Sequence, residues 1–346
     1  MKTVSSPAWP LVTVAIPCYN ASKFLPILLP SILALDYPNL EIIIVDDHST
    51  DNSVEYIEQN FPQIKLVKNP INKAFAAVAN QLFWLSTGEY FFLVNQDTLY
   101  QSDYLKIAVS VMEKNTQIGA FGGKIYKYDF SKNQPTKIID TVGQIIYKNR
   151  RIVDEGQGIA DQGQFEKAGE VFGISGQNPL YRRTALLQSA VPVKGKIQPE
   201  IFDEDFYMYK EDVDLAWRLQ LFGWKAWYDP SAVAWHGRGT TAIKRQNNLE
   251  IFQNRRLLSN FQQYYGIKNR YLLMLKNEFS SQYLRSFPFI FWNDLLYFGY
   301  NLAFNPITSF KAYYTLLRQL PSALHKRRYI VKHRRITPSQ IAHWFK

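Results

Sequence analysis

Ile42-Ile-Ile-Val-Asp-Asp47 is an unbroken β-branched run that stops on two carboxylates. Upstream, Leu11-Val-Thr-Val-Ala-Ile16 is closed by Pro17; downstream, Tyr90-Phe-Phe-Leu-Val94 runs into Asn95, Gln96 and Asp97. Continuous apolar runs this short suit strands buried on both faces, as in parallel sheets. Helix-like stretches lie between them. Residues 53–61 begin after Asn52, a candidate N-cap with Glu55 three residues on. In 74–85, Phe75, Val78, Leu82 and Leu85 fall on one helical face. The segment 22–35 also has helical spacing, although Pro30 would kink it. Strand and helix in alternation predict an α/β fold with a largely parallel sheet.

In such a sheet, ligands bind in the crevice beyond the C-terminal ends of the strands. Asp46, Asp47 and Asp97 are therefore expected to converge on one cleft, where burial is costly unless a cation, a sugar or a base edge partners them. Capping or turn formation is the ordinary alternative for any one pair. No GxGxxG follows the first strand, and GxxxxGK[ST] and GxSxG do not occur. Dinucleotide dehydrogenases, P-loop NTPases and the commonest hydrolases of this class lose their support. Residues 141–178 are rich in glycine and weakly periodic, which predicts loops and short strands, a flap. A firm helix returns at 211–222 through Leu215, Leu219 and Phe222, with Gly223 as its stop. Six acids fall between Asp203 and Asp214. Of these, Asp212 opens the helix, where the macrodipole favours its ionised form and a substrate hydroxyl could lose a proton to it. Asp214 and Glu204 read as a cap or a solvated acid. A short strand, 233–235, precedes His236 in His-Gly-Arg-Gly-Thr-Thr. A lone histidine is ordinarily a hydrogen-bonded structural residue. After a strand it can also pair with Asp97 to offer one nitrogen and one oxygen to a divalent cation, a diphosphate and water completing the shell.

Composition bounds the rest. The chain has 346 residues, 47% hydrophobic and 15% aromatic, enough to bury a large core and to exclude a disordered chain. Its single cysteine excludes a disulfide framework and a cysteine-rich zinc site. No signal-peptide pattern opens the chain, so a cytoplasmic location is expected. The net charge of +11 divides unevenly. Residues 241–346 hold 17 Lys or Arg against 3 acids, which leaves residues 1–240 at −3. A nucleic-acid reading needs a basic face on the folded domain, so no nucleic-acid partner is expected. The tail also carries dense aromatic and aliphatic residues, including Phe289, Phe291, Trp292, Leu296 and Phe298 around an uncharged stretch from Leu295 to Phe310. That stretch is shorter than the roughly 20 apolar residues a spanning helix needs. It predicts an interfacial helix pair on an anionic membrane surface.

Read together, these segments resemble the family 2 glycosyltransferases of GT-A fold, in particular a bacterial rhamnosyltransferase-like branch. The words that carry the resemblance, in family order, are Ile16-Pro-Cys-Tyr-Asn20, Val45-Asp-Asp-His-Ser-Thr-Asp-Asn-Ser53, Asn72-Lys-Ala-Phe75, Leu93-Val-Asn-Gln-Asp-Thr98, Tyr209-Lys-Glu-Asp-Val-Asp-Leu-Ala-Trp-Arg218 and His236. The tail resembles that branch in Lys268-Asn-Arg-Tyr-Leu-Leu-Met-Leu-Lys-Asn277 and Lys326-Arg-Arg-Tyr-Ile-Val-Lys-His-Arg-Arg335. The resemblance implies a Rossmann-like, mostly parallel sheet flanked by helices over 1–245, and a helical membrane-associating extension over 246–346. It implies inverting, non-processive transfer of a sugar, rhamnose favoured, from a nucleotide sugar to a glycan or polyprenyl-linked acceptor, on the inner face of the cell membrane. Pro17, Tyr19, Asp46, Asn72, Lys73 and Gln96 would hold the donor (dTDP-rhamnose, or a UDP- or GDP-sugar). Asp97 and His236 would hold Mg²⁺ or Mn²⁺, Gly176, Gln177 and Glu211 would meet the acceptor, and Asp212 would be the general base. Asn95-Gln-Asp97 carries one acid where the family's DxD has two, and no QxxRW follows Glu211-Asp212. A sugar-phosphate nucleotidyltransferase and a non-catalytic nucleotide-sugar or nucleic-acid binder are the alternatives.

Overall fold

The computed structural model describes residues 9–237 and 258–346. The expected boundary at 245/246, and the Arg-Gly-Thr-Thr that follows Gly237, lie outside the described residues.

The first half alternates as expected: β1 (Val12–Cys18), α1 (Leu25–Leu33), β2 (Leu40–Asp46), α2 (Ser53–Asn60), β3 (Lys65–Lys68), α3 (Phe75–Leu85) and β4 (Tyr90–Leu93). Strands β4, β1, β2 and β3 pair in parallel. Both faces of β1, β2 and β4 are buried, whereas β3 is the half-exposed edge. Val12, Val14, Ile16, Ile44 and Phe92 point into one core with α1, while Ala15, Ile43, Val45, Phe91 and Leu93 point into another with α3. That two-sided burial is why the runs are continuous rather than alternating. Pro30 remains inside α1. The start of α2 corrects one expectation: Asn52 occupies the cap position without a side-chain bond. Asp51 takes that part instead, accepting from the backbone N–H of Ser53 at 3.1 Å.

Beyond β4 follow β5 (Thr98–Tyr100), α4 (Tyr104–Lys114), β6 (Ile118–Asp129), β7 (Gln134–Thr141), β8 (Gln144–Ile146), β9 (Ile152–Asp154), β10 (Gly169–Val171), β11 (Leu180–Arg182), α5 (Arg183–Ser189), α6 (Glu211–Leu221) and β12 (Lys225–His236). The central sheet runs β10-β12-β6-β11-β4-β1-β2-β3, with β11 antiparallel to both of its neighbours. The expected strand 233–235 is the end of β12, whose pairing with β6 shifts register between Asp229 and Val233. Its last residues also pair with β5, which sets His236 opposite Thr98 and so beside Asp97.

The extension forms α7 (Asn260–Asn277), α8 (Ser280–Phe304), α9 (Pro306–His333) and α10 (Pro338–Ala342). It is not a separate globule. Helix α6 is buried all round. Leu215 and Leu219 face the sheet, whereas Val213, Trp217 and Leu221 pack with Leu272, Phe279, Ile330 and Phe345 of the extension. The tail's charge is partly consumed here. Lys276 bridges Asp203 and Asp214, and Lys326 bridges Glu200, Asp203 and Asp205, all in the interior or at its edge. Asp214, expected as a cap or solvated acid, is fully buried and also holds Arg218 and Asn277. Glu204 is not simply solvated either, since it accepts from Asn80 and pairs with Lys196.

Candidate functional site

A cleft of about 870 Å³ opens where β1, β2 and β4 end. It gathers most of the residues singled out in the sequence: Pro17, Tyr19, Asn72, Gln96, Asp97, Gly176, Gln177, Glu211, Asp212 and His236. Asp46 and Lys73 stand just outside its lining. Asp46 is buried, its Oδ2 accepting from the Ser49 N–H at 3.1 Å, and its Oδ1 has no partner among the described residues. Lys73 reaches Asn69 with its Nζ at 3.1 Å.

The wall beside Asn72 is built by Asp47. Its carboxylate accepts from the N–H groups of Lys73 and Ala74, each at 2.9 Å, and from Asn69 Nδ2 at 3.0 Å, folding the 69–74 loop over the end of β2. Ala74 pays for this closure with φ +69° and ψ 165°, a region that is essentially glycine-only. Gln96 fixes the opposite lip, accepting from the Tyr19 N–H at 3.0 Å and donating to the Tyr19 carbonyl at 3.2 Å.

His236 is 6% exposed and lies between two carboxylates. Its Nδ1 is 2.8 Å from Asp140 Oδ2, and its Nε2 is 3.2 Å from Asp97 Oδ1. Burial disfavours the charged ring, but the hydrogen bonds and charges of Asp140 and Asp97 hold its pKa up at about 9. A carboxylate behind one ring nitrogen fixes the ring orientation, and a cation bound at the other would displace its proton. Among the described residues no cluster of three or more metal-ligating side chains occurs. Two protein donors nevertheless fit a Mg²⁺- or Mn²⁺-type ion that keeps waters and takes phosphate oxygens.

Asp212, in the first turn of α6, is oriented from the flap. Its Oδ2 accepts from the Gly176 N–H at 2.9 Å and from Gln144 Nε2 at 3.0 Å. The approach is close at Gly176, where a Cβ would stand 3.1 Å from the Asp212 Cβ. Burial and the charge of Asp154 raise the Asp212 pKa, against the Gly176 hydrogen bond that lowers it. Neighbouring Glu211 is pushed up to about 8 by burial, then by the charges of Asp212 and Asp214. Asp140, Gln144 and Asp154 were not singled out in the sequence. Ile138-Ile-Asp140 and Ile152-Val-Asp154 do repeat, at the ends of β7 and β9, the apolar-then-acid pattern of Val45-Asp46; Gln144 has no such signal.

A model of glycosyl transferase family 2 matches residues 13–188, half of the chain. The chain belongs to glycosyl transferase family 2. Among curated relatives, the poly-β-1,6-N-acetyl-D-glucosamine synthase of Staphylococcus epidermidis is 29% identical over 220 residues, covering 63% of this chain and 48% of that one. An uncharacterised glycosyltransferase of Haemophilus influenzae is 26% identical over 241 residues, 68% of each chain. The chain spans about half the length of the synthases it matches. Among solved structures, S. aureus TarS 1–349 in complex with UDP-GlcNAc superposes with a TM-score of 0.51 at 16% identity, covering 94% of this chain and 82% of that one. GalNAc-T7 with UDP, GalNAc and Mn²⁺ gives 0.53 at 12% identity, covering 76% and 51%. These likenesses bear on the fold, which is the expected GT-A arrangement. Family 2 membership makes the protein a transferase, and nothing in it singles out the rhamnosyl branch.

Proposed function

We propose that the protein transfers one sugar, with inversion, from a nucleoside diphosphate sugar to a hydroxyl of a glycan or lipid-linked acceptor. The observation that carries this reading is the position of Asp212: a carboxylate of raised pKa, held by Gly176 and Gln144, in the same cleft as Asp97 and His236. The acceptor oxygen attacks the anomeric carbon as the bond to the diphosphate oxygen breaks, and the acceptor proton passes to Asp212. Pro17, Tyr19, Asn72 and the unpartnered Asp46 Oδ1 suit the base and ribose, with Asp47 shaping the wall. Asp97 and His236 would hold Mg²⁺ or Mn²⁺, whose charge offsets that developing on the leaving diphosphate. The names of the synthase relatives favour an N-acetylglucosamine donor for the first trial, with dTDP-rhamnose beside it. The test measures nucleoside diphosphate release from a donor panel with membrane lipid extract as acceptor. Asp212→Asn is expected to lower turnover by about 10²–10⁴-fold while donor binding persists. Release of pyrophosphate instead would identify a nucleotidyltransferase, and unchanged turnover would remove Asp212 as the base.

The extension supports action at a membrane surface. Among the described residues no helix is long and apolar enough to cross a membrane. Helix α8 has inverted polarity: Gln282, Ser286 and Asn301 are buried, while Phe289, Phe291, Trp292 and Leu296 face outward. We read 246–346 as the membrane-facing part of the enzyme and 1–245 as its catalytic part.

A further inference from the structure

The Asp212 side of the cleft carries aromatic side chains that the transfer step does not use. Tyr207, Tyr209 and Phe261 line it and remain 39%, 39% and 45% exposed. Tyr265 backs them, stacked on Tyr207 with centroids 5.3 Å apart and planes 10° from parallel. Phe261 packs on both Tyr209 and Tyr265.

The backbone that presents these rings is strained. Tyr207, Tyr209 and Lys210 have φ of +66°, +68° and +68°, positive values that non-glycine residues rarely adopt. Such conformations cost on the order of 1–3 kcal/mol each and persist only when their surroundings over-determine them. Here one side chain does so. Asn269 of α7 is fully buried, and its Nδ2 donates to the carbonyls of Phe206, Met208 and Tyr209 at 3.1, 2.9 and 2.7 Å. The result of that clamp is a pair of tyrosine rings open to the cleft, three and five residues before Asp212 in the chain.

We propose that Tyr207, Tyr209 and Phe261 form a subsite for a pyranose ring of the acceptor, stacked by its C–H face so that a hydroxyl at its edge meets Asp212. This rests on the reading of Asp212 as general base. An aromatic face is electron-rich and attracts the weakly positive C–H face of a sugar. The carboxylates of Asp154 and Asp212 line the cleft against the single ammonium of Lys210, and this acidic balance disfavours a phosphate there. The group seated on the rings is therefore a neutral sugar rather than the diphosphate of a lipid carrier.

Saturation-transfer NMR on the full chain tests this, with methyl glycosides of glucose, N-acetylglucosamine and rhamnose as probes. Sorbitol serves as a polyol without a ring face. Irradiating the aromatic protons should mark ring C–H protons of at least one glycoside and leave sorbitol unmarked. The signal should fall at least roughly threefold in Tyr209→Leu and in Phe261→Leu, and survive in Tyr209→Phe, which keeps the ring. Phe261→Leu changes an exposed side chain, so its result stands even if Tyr209→Leu fails to fold. No transfer to any glycoside, equal marking of sorbitol, or an unchanged signal in Phe261→Leu would overturn the proposal. Calorimetric titration of the wild type with nucleotide sugar reports separately on the transferase reading, since donor binding does not involve these rings.

Discussion

Asp212, the base in the proposed reaction, is a carboxylate whose pKa its surroundings pull in two directions. Burial and Asp154 raise its pKa, while Gly176 and Lys210 oppose them. A base works ionised, so kcat/KM should fall as pH drops through a value above the ordinary carboxylate range. Asp154→Asn removes a raising charge and should move that acid limb to lower pH. Lys210→Met removes a lowering charge and should move it to higher pH. The pH profiles of the two variants check the sign, and limbs unmoved in both would separate this limb from Asp212. At this scale the sequence was informative about Asp212 and His236, because each follows or opens an element with a strong pattern. Gln144 was invisible in it, since only the folding of β8 against the start of α6 brings its amide to Asp212.

At the scale of elements, α6 is held from two sides, and only one side could be read. Leu215 and Leu219 recur at helical spacing, but Val213, Trp217 and Leu221 complete a second apolar face, and a helix apolar all round is a buried one. Beneath that second face, Lys276 of α7 meets Asp203 and Asp214 in a region closed to water. Burial alone would raise the Asp203 pKa; Lys276 and Lys326 overcome it and hold the carboxyl well below the usual range. Its stabilising contribution is therefore complete at neutral pH and is lost only as pH falls through that depressed value. Lys276→Met should cost about 3–5 kcal/mol in urea unfolding at neutral pH, because it leaves buried acids without their cation. A loss below about 1 kcal/mol would mean that Lys326 and Arg218 suffice. The lysine reads from sequence as one more basic residue of the tail, because Asp203 lies 73 positions away.

At the scale of the whole molecule, the charge of +11 resolves into two populations. Lys268, Arg270, Lys276 and Lys326 are buried against the catalytic part. Arg285, Lys311, Arg318, Arg328 and Lys332 remain exposed, on the same helices as Trp292, Ile307 and Phe310, which are 62%, 71% and 73% exposed. Outward aromatics beside cations are the composition of an interfacial helix on an anionic leaflet. Each such cation near the surface contributes about 1 kcal/mol. Arg328→Ala with Lys332→Ala should therefore weaken flotation with phosphatidylglycerol vesicles by about thirty-fold and leave binding to neutral phosphatidylcholine vesicles unchanged. Trp292→Ser, which removes apolar surface, should weaken both. The comparison needs the full chain, because removing the extension would also strip Val213 and Trp217 of their cover. If the full chain stays unbound with anionic vesicles and sediments as a dimer, a second copy covers α8 and the membrane reading falls.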